Sequence, residues 1–493
     1  MYLKRSAIGF LGSIFLVGLV AAQTSDAVKL PDTAAGKTLS AFLTAFNTGD
    51  LQALRRFHSE RGADEGNAQE DLNFYNKCGG LKLNKVVKSS DYEIEILTQA
   101  KKDGRWLRLT MQVEKTAPHP VADIRVQPGS TTDEAQPPKD PVKETAVAPP
   151  VAKNMTDAQI AASLASYLDE LAKEDEFSGV VLIAKDGKPV FERAYGLANK
   201  AKNIRNNIDT KFNLGSMNKM FTAVAIAQLA QAGKLSFEET IGKYLPDYPN
   251  KDVADKVTVH HLLTHTSGLG SYWNAKFEAK KASIKTVSDY LSLFADEPGT
   301  VDPGKTFRYS NSGFIVLGAI IEKVSGQNYY DYVSEHIYKP AGMKQTGAYE
   351  MTAETPNLAM GYTTEGSGAP GRRENAATRP NRGGPAGGGY STAEDLMRFH
   401  TALREHKLLD QKYTDLVTTG KVPMGGAKYA YGFGDEVING KRVFGHNGGA
   451  QGIASDLSMY ADLGYTSVVM TNYDPPLMMP VVKRIREMIT QSR

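Results

Sequence analysis

Ser216 stands three residues before Lys219 in the stretch LGSMNKMFTA, where an apolar run begins. If these residues open a helix, positions i and i+3 share a face, and the Lys219 side chain is held beside the Ser216 hydroxyl. A hydroxyl attacks a carbonyl only when a base takes its proton, and the positive end of a helix favours the anion that develops. Ser-x-x-Lys is common by itself. A serine here also reads as a helix N-cap, with Phe221, Val224, Ala225, Ala227, Leu229 and Ala230 continuing an apolar face and Gly233 closing it. Three further stretches bear on the choice. Tyr309-Ser310-Asn311 lies inside FRYSNSGF, ahead of a second apolar helix predicted over 315–324. His446-Asn447-Gly448 lies inside VFGHNGGAQG, at the end of a predicted strand, and LLTHTSGL (262–269) falls between the first two stretches.

In this order, Ser-x-x-Lys, Tyr-Ser-Asn and His-x-Gly make residues 156–492 resemble the serine β-lactamase and penicillin-binding-protein superfamily. Within it, the chain is most similar to class C β-lactamase-like serine hydrolases, D-alanyl-D-alanine carboxypeptidases and related esterases. The resemblance implies an α/β (α+β) fold, an antiparallel sheet flanked by helices with a helical subdomain, and acyl transfer without a cofactor or metal. By the same resemblance Ser216 would be the nucleophile and Lys219 the partner that keeps it deprotonatable. Tyr309 would act as phenolate or proton shuttle, its acidity raised by neighbouring cations, and Asn311 would bond Lys219 and the substrate carbonyl. Whether Lys219 or Tyr309 is the general base stays open. The backbone N–H groups of Ser216 and Gly449 would hold the oxyanion, with Asn447 and Gly448 contacting substrate.

Two departures from the family pattern carry expectations of their own. His446 stands where lysine is usual, and an imidazole is only partly charged near neutrality. Recognition of an anionic substrate is therefore expected to gain a component that falls as pH rises through about 6 to 7. The Gly/Pro/Arg-rich stretch 366–389 holds Arg372, Arg373, Arg379 and Arg382, which could meet an anionic substrate but read as a solvated loop.

Rival chemistries fit less well. His261 and His265 have i,i+4 spacing, but a zinc protease needs His-Glu-x-x-His, and Leu262 occupies the glutamate position. GYSTA (389–393) lacks the final glycine of a nucleophile elbow. A sensor that is acylated without turnover is the non-enzyme alternative, though it need not keep Ser216, Lys219, Tyr309 and Asn311 together.

Around these residues, 493 positions allow several domains. A net charge of +3 with no basic, aromatic-laced stripe argues against nucleic acid, leaving a small-molecule or peptide substrate. Lys4 and Arg5, an apolar run to Val20 and Ala21-Ala22 read as a signal peptide (1–22), implying a periplasmic or secreted protein without stable membrane insertion after cleavage. The single cysteine, Cys78, can form no internal disulfide and is not placed for lipid attachment. Residues 31–127 read as two helices and then alternating strands, a pattern similar to the cystatin-like α+β cone of the nuclear transport factor superfamily. Six prolines from Pro128 to Pro150 mark a linker (128–153). The hydrolase domain (154–493) opens on a helix with a Thr156/Gln159 capping box, followed by a hairpin turning at Asp186-Gly187. It ends on strands over 442–445, 453–460 and 466–470 and a helix over 478–489. Strands from both ends with helices between them predict one antiparallel sheet facing a helical insertion.

Overall fold

The computed structural model describes residues 28–61, 67–128, 151–351, 353–364 and 371–492. The expected leader (1–22) and residues 129–150 of the expected linker lie outside them. The chain divides into two compact units, 1–142 and 143–493.

In the first unit three helices, Ala34–Phe46, Leu51–Ser59 and Asn67–Cys78, precede a four-stranded antiparallel meander. The side chains of Thr33 and Asp50 cap the first two helices through Gly36 N and Gln52 N. Strand Trp106–Val113 alternates strictly, turning Leu107, Leu109, Met111 and Val113 inward against Leu39, Phe42 and Phe46. The third helix departs from the two-helix expectation. Its sequence, NAQEDLNFYNKC, has too few apolar residues for a clear period, and Phe74 joins the core by tertiary contact with Phe46 at 5.2 Å.

The second unit is built on an eight-stranded antiparallel sheet. Its spatial order is Val422–Met424, Ala427–Tyr429, Gly434–Ile438, Lys441–Ala450, Ile453–Tyr460, Tyr465–Thr471, Gly179–Lys185 and Lys188–Tyr195. Strands from the two ends of the unit meet where Tyr465–Thr471 pairs with Gly179–Lys185. Period-2 alternation then serves two cores. Val181 and Ile183 face helices Asp157–Lys173 and Pro475–Gln491, whereas Val180 and Leu182 face a larger core that contains the helical insertion. The Thr156/Gln159 capping box is present. One difference matters for the chemistry. Strand Lys441–Ala450 continues well beyond residue 445, so His446, Asn447 and Gly448 lie within a paired strand rather than at its end. Sequence reasoning stopped at 445 because glycines at 445, 448 and 449 weaken any strand signal.

Candidate active site

Ser216 does not cap a helix. It sits in a single 3₁₀ turn, Gly215–Met217, and helix Asn218–Gln231 follows with no side-chain cap. Nor does that helix have one apolar face: twelve of its residues, Lys219 among them, are buried around its whole circumference. The turn is clamped from two sides by backbone. Leu214 N–H donates to Gly389 O at 2.7 Å and Gly388 N–H to Gly215 O at 3.2 Å, while Ser455 Oγ donates to Leu214 O at 2.7 Å. Gly448 is what lets strand Lys441–Ala450 come this close, because a Cβ there would fall 1.9 Å from Leu214 O. Expected to contact substrate, Gly448 is instead buried as a spacer. Gly449, exposed, brings its backbone nitrogen to the same turn, 3.0 Å from where a Gly215 side chain would begin.

Lys219 is 0% exposed, with Nζ at 3.1 Å from Ser216 Oγ, 2.7 Å from Asn311 Oδ1 and 2.6 Å from Ala386 O. None of these acceptors is charged. Burial alone therefore pushes the Lys219 pKa well below its ordinary value, toward the neutral amine. A neutral amine has two N–H donors and one lone pair. The donors match the Asn311 and Ala386 oxygens, and the lone pair is left for the Ser216 hydroxyl. Asn311 is placed by the start of helix Asn311–Ser325, which Ser310 caps through Gly313 N at 3.2 Å.

Tyr309 precedes that cap. Its ring is open on one side, 46% exposed, but its phenol hydrogen-bonds Ser216, and Lys219 Nζ lies 4.8 Å from the ring centroid. Burial of the phenol raises its pKa, and the Ser216 bond offsets only part of this. The expectation of an acidified phenol is therefore reversed, for a physical reason: desolvation of the hydroxyl outweighs what its neighbours supply. His265, considered for metal binding from its spacing, instead braces this tyrosine. Its ring lies 4.2 Å from Tyr309 and 5.1 Å from Phe314, and its Nδ1 accepts Ser310 N–H at 3.0 Å. His261 accepts Thr258 N–H to cap the short helix Val259–Leu263. Among the described residues no group of three His, Cys, Asp or Glu side chains converges as a metal site.

His446 departs furthest from expectation. It is buried, its Nε2 accepts from Tyr429 Oη at 2.9 Å, and its Nδ1–H donates to Asn447 O. Burial above all pushes its pKa down, to about 3. A neutral imidazole with both nitrogens satisfied cannot act as a charge switch between pH 6 and 7. Asn447 is exposed and pairs with Asp456, on the sheet face opposite His446. Tyr309, Tyr429 and His446 line a cavity of about 200 Å³. Tyr429 and Ala386 were missed by sequence reasoning. A carbonyl acceptor leaves no residue-type signal, and Tyr429 enters through sheet pairing alone.

The arginines of the Gly/Pro-rich stretch are not a solvated fringe. Arg372 pairs with Asp175 at 2.9 Å and Arg382 with Glu350 at 3.2 Å, and both side chains are largely covered.

A family model described as Beta-lactamase matches residues 164–490. The putative penicillin-binding protein PbpX of Bacillus subtilis (strain 168) is 33% identical over 315 residues, which is 62% of this chain and 72% of that protein. Esterase EstB of Burkholderia gladioli is 28% identical over 369 residues, 66% of this chain and 93% of that one. Among solved structures, a penicillin-binding protein from Bacillus halodurans superposes with a TM-score of 0.57 at 33% identity, covering 63% of this chain and 98% of its own.

Proposed function

The chain belongs to the beta-lactamase family of serine hydrolases, and on that premise we propose that it cleaves an ester or amide through a covalent acyl-enzyme on Ser216. The observation that carries the reading is the placement of Lys219, buried with Nζ 3.1 Å from Ser216 Oγ and with Asn311 Oδ1 and Ala386 O as its other partners, so that its amine form presents a lone pair to the Ser216 hydroxyl.

As Oγ attacks the carbonyl, Lys219 takes its proton, and the backbone N–H groups of Ser216 and Gly449 hold the oxyanion. Tyr309, protonated at neutral pH, gives its proton to the leaving group and is resupplied by the Lys219 ammonium. Water then adds to the acyl-enzyme, its proton passing to the same pair of groups, and Ser216 leaves as the hydroxyl. Asn311 and Ala386 keep the amine aimed at Oγ. Lys219 is thus the general base, because burial disfavours its charged form while burial of the phenol disfavours phenolate.

Export follows in the same proposal from the leader-like residues 1–22, and no helix among the described residues is long and apolar enough to cross a membrane. The proline-rich stretch 128–153 joins an N-terminal cone-like domain (31–127) to the hydrolase domain (154–493). A fluorophosphonate is expected to label Ser216 in the native protein and nothing in Ser216→Ala, with ester turnover reduced by more than about 10³-fold. Turnover retained in Ser216→Ala would overturn the mechanism. A burst of one equivalent with no steady state would favour an acylated sensor over a hydrolase.

A further inference from the structure

One cation beside this site has no carboxylate. Of the arginines between 371 and 388, Arg372 and Arg382 are held by Asp175 and Glu350, whereas no carboxylate of the described residues lies within ion-pair distance of Arg379. Its guanidinium rests 5.1 Å from the ring centroid of Tyr349. Its Nε is buried without a hydrogen-bond partner. Burial lowers its pKa and only Tyr349 offsets this, although a guanidinium stays charged throughout the working range.

The surroundings tie Arg379 to the Ser216 turn. Tyr349 hydrogen-bonds the Asn213 side chain, whose Oδ1 accepts Gly215 N–H at 2.9 Å. The Tyr349 hydroxyl also lies 3.4 Å from the side-chain position of Gly388, the residue whose N–H donates to Gly215 O. Seven residues after Arg379, the same loop supplies Ala386 O to Lys219. Tyr349, with Arg379 resting on its ring, thus reaches the Ser216 turn through Asn213 and Gly215. His446, where a charged lysine is usual, is neutral and supplies no anchor of its own.

From its link to the Ser216 turn and its lack of a counter-ion, we infer that Arg379 is an anion subsite reached by the acyl half of the substrate, selecting substrates whose acyl chain ends in a carboxylate. A half-buried guanidinium over an aromatic ring, with no internal counter-ion, is set up to form a charge-assisted and bidentate bond with such a group. The inference rests on the acyl-enzyme reading of Ser216.

The test compares p-nitrophenyl hemi-esters of succinate, glutarate and adipate with p-nitrophenyl butyrate, in the native protein and in Arg379→Gln, Arg379→Met and Arg379→Lys. The ratio of kcat/KM for the best hemi-ester to that for butyrate is expected to fall by at least roughly tenfold in Arg379→Gln and Arg379→Met, and by less in Arg379→Lys, which keeps the charge but loses the fork. Met keeps an apolar stem on Tyr349 should the Gln variant fail to fold. A ratio unchanged within about twofold overturns the subsite, as does a parallel loss of both substrates, which would mean that the loop only positions Lys219 through Ala386. A third arm places the carboxylate on the leaving group, with 3-carboxyphenyl against phenyl butyrate. A selectivity loss confined to that pair overturns the acyl-side assignment. Phosphonate labelling of Ser216 in the same preparations separates the two failures. Normal labelling with a flat ratio sinks the subsite alone, whereas no labelling and no nitrophenolate burst in the native protein sink the acyl-enzyme reading and the subsite with it.

Discussion

Replacing Asn311 by Asp puts a carboxylate where an amide oxygen now accepts from Lys219 Nζ at 2.7 Å. The shape is kept and a charge is added. At an effective dielectric of about 20, two unit charges at that separation attract by roughly 6 kcal/mol. Holding a carboxylate beside a fully buried lysine costs several kcal/mol, so about half the attraction, ~3 kcal/mol, survives. At about 1.36 kcal/mol per pH unit this raises the Lys219 pKa by roughly 2 units. The sign follows from the role of the base: reactivity that needs the free amine is present above its pKa and is lost as pH falls through it. The acid limb of the Asn311→Asp profile is therefore expected to move to higher pH by about 2 units. The assay is the second-order rate of Ser216 labelling by a fluorophosphonate over about pH 5 to 10, which needs no knowledge of the natural substrate. An Asn311→Asp protein that still labels, with its acid limb where the native one stands, would refute Lys219 as the base.

With His446 held neutral by a pKa near 3, carboxylate-bearing and neutral substrates are expected to show parallel kcat/KM profiles between about pH 6 and 7. A divergence abolished by His446→Asn would show the ring to be charged after all. Folding stability carries the same signature. His446 and His400 both have folded pKa values near 3, so the unfolded chain takes up protons first, and each costs the fold about 2 kcal/mol between pH 6.5 and 5. Urea unfolding at the two pH values should show a smaller loss in His400→Asn, and an unchanged loss would contradict the burial argument. Gly448→Ala, whose Cβ would meet Leu214 O at 1.9 Å, should lower stability by about 3 kcal/mol or more and slow Ser216 labelling. A variant that melts and labels like the native protein would show that the strand can retreat at no cost. A fragment spanning 151–493 holds every proposed catalytic residue, and its Ser216 is expected to label as in the full chain. A soluble but unreactive fragment would give the N-terminal unit a part in shaping the site.

The reactive core was legible because its chemistry depends on residue type at short spacing. A serine and a lysine three apart meet on almost any helical turn, and Tyr-Ser-Asn carries its own cap, Ser310, which aims Asn311. The strands from the two ends of the unit were likewise legible, Val180 to Ile183 as a continuous apolar run, since a strand buried on both faces is largely apolar, and Val468 to Met470 in its partner. What could not be read were properties that belong to surroundings. The helix after Ser216 is buried all round because other elements enclose it, and the same enclosure, to which Ala386, more than 160 residues distant in sequence, belongs, pushes the Lys219 pKa down. The residue name histidine suggested a switch at 446, but Tyr429 and the covering sheet hold that ring neutral. Of the arginines in one polar loop, only tertiary partners distinguish Arg372 and Arg382, already neutralised, from Arg379, which is not. Charge state and pairing are set by desolvation and by atoms brought from elsewhere in the chain, and that is why the fold alone decided them.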